Sequence, residues 1–151
     1  MTTLSRRYFF HSAGMALTAA QATRVMGAND KIQVAIVGLG GRGTAHVSTY
    51  MTLTNDATVT ALCDVNQAAL ERAQATVQKA TQHTPKGYAD LREVFADKNV
   101  DAVSMPLPNH WHALATIWAC QAGKDVYVEK PGSHNLWEGR QLVRADRKSV
   151  V

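Results

Sequence analysis

At 151 residues, 46% of them hydrophobic and 19% charged, the chain has room for one domain, and a domain of that size buries roughly 70% of the surface its unfolded chain exposes. A mean hydropathy of −0.19, with no apolar run near the ~20 residues a bilayer crossing needs, excludes a multi-span membrane protein, a collagen-like chain and a mostly disordered one. Two cysteines, Cys63 and Cys120, exclude a disulfide-rich scaffold and a four-cysteine zinc site.

The formal charge of +4 and pI of about 9.3 suggest nucleic acid, but the excess is local. Arg6, Arg7 and Arg24 lie in the first 28 positions, where no acid stands, and from residue 29 onward 13 basic residues face 12 acidic ones. The clustered Lys and Arg that phosphate-backbone binding requires are absent, so no nucleic-acid partner is expected.

Residues 1–28 read as an address. Ser5-Arg6-Arg7-Tyr8-Phe9-Phe10 precedes a weakly apolar stretch from Ala13 to Ala22 and small residues around Ala20-Gln21-Ala22 and Gly27-Ala28, the layout of a signal peptide. Paired arginines followed by two aromatics resemble the twin-arginine export signal, whose translocon carries folded proteins out of the bacterial cytoplasm. Export by that route is expected, to the periplasm or to an uncleaved membrane anchor. Both cysteines sit in apolar or strand-like contexts and are expected as buried free thiols.

The remaining chain, 29–151, alternates strands and helices. Lys31 to Val37 is β-branched and nearly continuous, as a buried parallel strand should be. Helix is expected from about Gly41 to Leu53, strand from Thr58 to Cys63, and helix from Ala68 to Ala80 with Ala69, Ala73, Val77 and Ala80 on one face. Tyr88 begins a short third strand, and Asp90 can cap a helix over Leu91–Ala96. Val100 to Met105 is the fourth strand, Asn109 can cap a helix through Ala122, and Gly123 can stop it. Val126 to Glu129 is a fifth strand, and a last helix starts at Leu136. In the fourth of these helices Trp111, Leu114, Ile117 and Trp118 follow helical spacing and are expected in the core. This order predicts an α/β fold, a Rossmann-like doubly wound parallel sheet with right-handed crossovers, whose ligands bind beyond the carboxyl ends of the strands where strand order reverses.

Two groups of residues lie just past strands, where such a site belongs. Gly38-Leu39-Gly40-Gly41-Arg42-Gly43 follows the first strand and opens a helix. Gly38 would permit the tight turn, Gly40 would let a pyrophosphate approach bare backbone, and Gly43 would let helix and strand pack closely. Free amides and the positive end of the helix dipole then face the phosphates. Asp64, at the end of the second strand, can accept both ribose hydroxyls of the adenosine half and would repel a 2′-phosphate, which favours NAD over NADP. Arg42 is open between a solvated side chain and a second phosphate contact.

The second group is Pro106-Leu107-Pro108-Asn109-His110-Trp111-His112 after the fourth strand and Glu129-Lys130-Pro131-Gly132 after the fifth. Residues at i and i+2 do not share a helix face, so His110 and His112 are not expected to form a metal pair. One imidazole is expected in the crevice, while the other packs or caps. Lys130 could hydrogen-bond a sugar hydroxyl or tune its proton transfer.

Together G-L-G-G-R-G, A-L-C-D, P-N-H-W-H-A and A-G-K-D-V-Y-V-E-K-P resemble the Gfo/Idh/MocA family of oxidoreductases over about residues 31–150. The resemblance implies that Gly38, Gly40, Gly41, Arg42, Gly43 and Asp64 hold NAD(P), and that Pro108, Asn109 and His112 lie near the nicotinamide. It also makes Glu129, Lys130 and Pro131 the family's E-K-P, with Lys130 touching substrate and cofactor and His112 a second catalytic candidate. Members join this domain to a larger α+β substrate domain that often mediates oligomerisation, and no matching segment exists here. The chain therefore looks like the truncated N-terminal part of an enzyme acting on a sugar or polyol hydroxyl by hydride transfer. The alternatives are an NAD-dependent glycosidase of the same superfamily and a non-catalytic nucleotide-binding fragment. A homo-oligomer is expected only where the second domain is present.

Overall fold

The computed structural model of the chain describes residues 31–149, so the signal-like segment 1–28 lies outside the described residues. Among the described residues ten elements alternate: β1 (Ile32–Val37), α1 (Gly41–Tyr50), β2 (Ala57–Cys63), α2 (Gln67–Thr81), β3 (Lys86–Tyr88), α3 (Leu91–Ala96), β4 (Ala102–Met105), α4 (Asn109–Gln121), β5 (Asp125–Val128) and α5 (Leu136–Ser149). The five strands form one parallel sheet in the order β3-β2-β1-β4-β5. The chain winds outward from β1 through β2 to β3, then returns to the other side of β1 as β4. That reversal opens a crevice beyond the carboxyl ends of β1 and β4.

Strand alternation sorts the core into two layers. Val34 and Ile36 of β1 face the layer of Val47 from α1 and Leu70 and Val77 from α2. Ala35 and Val37 face the layer of Val94 and Phe95 from α3 and Ala115 and Ala119 from α4. On β2, Val59 joins the first layer and Ala61 the second, although two residues apart should share a face. The cause is a register shift against Val34/Ala35, where Thr60 is skipped and the following residues change sides.

Local chemistry bounds α3 and α4 at Asp90 and Gly123 as expected. Asp90 caps α3 by accepting from Arg92 N–H at 2.9 Å, and Gly123 closes α4 at φ +72°. Asn66 caps α2 through Ala69 N–H. Four expectations need correction. Helix α1 ends at Tyr50, before Leu53. Pro108, not Asn109, occupies the cap of α4 and offers no side-chain bond, so Asn109 is the first helical residue. Ala80 is exposed, and Leu70 takes its place against the sheet.

The fourth concerns α4, where Trp111 and Leu114 are 39% and 41% exposed. The buried face is His112, Ala113, Ala115, Thr116, Ala119 and Cys120. Small residues let the helix backbone come close to the sheet, which turns Trp111 and Leu114 outward, while Trp118 stays half-buried against the core. Both cysteines are free and buried.

At the β3 edge, Tyr88 Oη donates to the Asp97 carboxylate, and Lys86 Nζ stands 3.5 Å from it. The Tyr88 hydroxyl, followed by the Asn99 backbone N–H, holds the Asp97 carboxyl down at about 2. Because an unfolded Asp titrates near ~3.9, this tie is complete above about pH 4 and is lost as pH falls toward 2. Asp97→Asn should therefore lower the melting temperature at neutral pH and flatten its decline between about pH 5 and 2. Melting curves of wild type and variant that run parallel across that range would contradict this.

Candidate functional site

The loop from β1 to α1 is built for a close visitor. Gly38 has φ +95°, and an added Cβ there would meet Leu107 Cδ2 at 3.0 Å, so only glycine turns the chain without strain. At Gly43 a Cβ would stand 1.9 Å from the Gly38 carbonyl oxygen, which ties the helix start to the strand end at van der Waals distance. Between them, Cβ atoms at Gly40 and Gly41 would meet nothing within 4 Å. That leaves an open cradle at the N-terminus of α1, where first-turn amides have no intrahelical partner and the dipole is positive.

Asp64, one residue past β2, closes the other side. Its Oδ2 accepts from Leu39 N–H at 2.6 Å and its Oδ1 from Asn66 N–H at 2.8 Å. Each carboxylate oxygen has a further lone pair, so Asp64 can hold the glycine loop and still receive a ligand hydroxyl. Gly38, Gly40, Gly41, Arg42 and Asp64 line a single cleft of about 860 Å³, with Val65, Asp90, Leu91, Arg92, Pro106, Leu107, Pro108 and Trp111 among its other walls. Its volume and its anion-cradling turn suit an extended dinucleotide. Cys63 also lines it, but burial and then the charge of Asp64 push its thiol up to about 12, which leaves it unreactive at neutral pH.

The remaining candidates cluster beyond β4 and β5, outside those walls. His112, expected as a catalytic group, is 1% exposed. Its Nδ1 lies 2.6 Å from the Pro131 carbonyl oxygen and its Nε2 2.7 Å from that of Leu107. A neutral ring carries one N–H and donates it to one of the two carbonyls; held between the two loops in either case, the ring braces them instead of facing a ligand. His110 is exposed. Asn109 Oδ1 accepts from His134 Nδ1 at 2.9 Å, which fastens the start of α4 to the segment after Pro131. Lys130 is exposed, with no hydrogen bond or ion pair among the described residues.

Glu129 points elsewhere. Its Oε1 accepts from Arg42 Nε at 2.7 Å and sits 2.9 Å from His46 Nε2. Those two bonds, His46 first, hold its carboxyl below the usual range. Arg42 is thus neither merely solvated nor committed to a phosphate: it pairs with Glu129 while its 65% exposed side chain lines the cleft. None of the sequence motifs includes His46; its i, i+4 spacing from Arg42 is the signal that points to it, since such residues share a helix face. No group of three His, Cys, Asp or Glu side chains that could hold a metal occurs among the described residues.

Over residues 32–151 the chain matches the family described as "Oxidoreductase family, NAD-binding Rossmann fold". Among curated proteins it is 32% identical over 118 residues to a glycosyl hydrolase family 109 protein of Shewanella sp., covering 76% of this chain and 26% of the relative. To one from Saccharopolyspora erythraea it is 29% identical over 126 residues, covering 81% and 27%. Among solved structures it resembles the WlbA dehydrogenase from Bordetella pertussis in complex with NADH and UDP-GlcNAcA, with a TM-score of 0.72 and 27% identity over 80% of this chain and 35% of that one. An NAD binding oxidoreductase from Klebsiella pneumoniae gives a TM-score of 0.70 and 32% identity, covering 81% and 33%. The chain spans about a quarter of the length of these curated relatives and about a third of the solved ones.

Proposed function

This chain belongs to the Gfo/Idh/MocA oxidoreductase family, whose NAD-binding Rossmann fold it forms, and from that premise we propose that it serves a longer enzyme moving hydride between a sugar or polyol carbon and NAD. The observation that carries the proposal is one cleft joining an open glycine cradle at the N-terminus of α1 to the Asp64 carboxylate. A pyrophosphate fits the cradle because nothing occupies the space beside Gly40 and Gly41. Asp64 accepts ribose hydroxyls and repels a 2′-phosphate, which makes NAD, not NADP, the cofactor. NAD, when bound, supplies the hydride acceptor.

The chain's own residues orient the reaction. Lys130, with its ammonium uncommitted, holds or moves a proton at the substrate hydroxyl. Pro108 and Asn109 shape the nicotinamide end. His112 holds the two loops together, so that Lys130 and the start of α4 keep one spacing.

The similarity to glycosyl hydrolase family 109 proteins favours a second activity. In it, transient oxidation of the sugar acidifies a neighbouring C–H and permits elimination of the glycoside, with no net redox change. Calorimetry with NAD tests the shared premise on this chain. Product analysis on the longer enzyme separates the two chemistries: net accumulation of NADH supports the dehydrogenase, and released sugar without it supports the glycosidase. Binding by the chain with neither product from the longer enzyme would leave only a nucleotide-binding module.

We also propose export through the twin-arginine translocon, with assembly into oligomers governed by the remainder of the enzyme. The paired Arg6 and Arg7 before Tyr8-Phe9-Phe10 support the export route. Replacing both arginines by lysine should retain a reporter fusion in the cytoplasm, and unchanged export would refute it.

A further inference from the structure

His46 sits on α1, one turn past Arg42, and is 8% exposed. Its Nδ1 is 2.8 Å from Ser104 Oγ on β4, its Nε2 is 2.9 Å from Glu129 Oε1, and its ring lies 5.7 Å from that of Tyr127 on β5. An ionised Glu129 can only accept, so Nε2 must donate, and Ser104 then gives its hydroxyl proton to Nδ1. A neutral ring satisfies every partner. The order serine, histidine, carboxylate is that of a hydrolase relay, but Ser104 is 0% exposed, so its hydroxyl is not presented as a nucleophile.

The connections span the site. Ser104 stands on the strand that leads to the Pro106–Pro108 wall, Arg42 belongs to the phosphate turn, and Glu129 is the residue before Lys130. Resting on the nucleotide site proposed above, we infer that His46 is a positioning residue: through Glu129 it sets the loop carrying Lys130 at the nicotinamide end relative to the phosphate cradle. Such a residue touches neither cofactor nor substrate. Its effect falls on the half of the cofactor that Lys130 serves and spares the half held by the glycine turn and Asp64.

Two substitutions of similar polarity separate the two contacts. His46→Asn places its amide near the old Nδ1 and can keep Ser104, but it falls short of Glu129. His46→Gln extends its amide to the old Nε2 and keeps Glu129. Calorimetry with NAD and with ADP, which has the pyrophosphate but no nicotinamide, reads the difference. We expect His46→Asn to weaken NAD about tenfold, as the loss of a hydrogen bond to a charged group does, with ADP changed less than about twofold, and His46→Gln to restore NAD. Parallel losses of NAD and ADP that track the melting temperature in both variants would reduce His46 to a packing residue and overturn the inference. So would unchanged NAD affinity in His46→Asn. If wild type binds neither NAD nor ADP, the nucleotide site itself fails, a result distinct from the other two. Independently of any variant, imidazole nitrogen NMR of the wild-type protein should show His46 protonated at Nε2 and bare at Nδ1, and the opposite tautomer would also overturn it.

Discussion

Replacing Asp64 by alanine is expected to weaken NAD on the order of a hundredfold while NADP loses on the order of tenfold or less. Two effects combine. The carboxylate would receive two ribose hydroxyls, and each hydrogen bond to a charged group carries about 1.5–3 kcal/mol, roughly a factor of ten or more. It also anchors the glycine loop through Leu39 N–H at 2.6 Å, and that loss falls on both cofactors alike. NADP has no 2′-hydroxyl to lose, and removing the anion relieves its 2′-phosphate. The ratio of the two affinities, measured by calorimetry, therefore isolates the ribose contact from the tether. Equal losses would leave Asp64 as a loop anchor only.

Gly43→Ala should cost the fold as well as the ligand. Its Cβ would stand 1.9 Å from the Gly38 oxygen and 2.8 Å from the Gly38 carbonyl carbon, and both are backbone atoms that no rotamer change can move aside. Overpacking of this kind costs about 1–3 kcal/mol and occasionally more. At a few degrees per kcal/mol, the unfolding midpoint should fall on the order of 10 °C. Gly40→Ala is the matched control. Its Cβ meets nothing within 4 Å and its φ is −66°, so the protein should melt like wild type while the methyl group stands where the pyrophosphate must approach. An unchanged melting temperature in Gly43→Ala would show that the helix–strand contact is looser than its geometry. Full NAD affinity in Gly40→Ala would move the phosphates off the cradle.

The parts of this site that could be read in advance are those whose spacing is local. A glycine turn between a β-branched strand and a helix, and an acid ending the next strand, lie within 27 residues from Gly38 to Asp64, and each glycine has a steric reason that holds wherever such a turn occurs. The alternation of strands and helices follows in the same way from short-range periodicity, and with it the parallel sheet and the place of its crevice.

Residue by residue, the exceptions have physical causes. Trp111 and Leu114 have apolar spacing but face outward, because Ala113, Ala115 and Ala119 let α4 pack closely and only one face can be buried. Asn109 lost its capping place to Pro108 and gained a partner, His134, across 25 residues. His112 became a brace because both ring nitrogens found carbonyl oxygens on neighbouring loops.

Local composition and spacing settled which segments become strands and helices, where the phosphate turn lies and which acid stands beside it, since those outcomes depend on neighbours along the chain. The direction of Glu129 could not follow from them. Its partners Arg42 and His46 are 87 and 83 residues away, brought near only because β4 and β5 line up on the far side of β1 and carry the end of β5 toward α1. Packing across the sheet, not any preference along the chain, decides which of several polar groups a half-buried carboxylate meets.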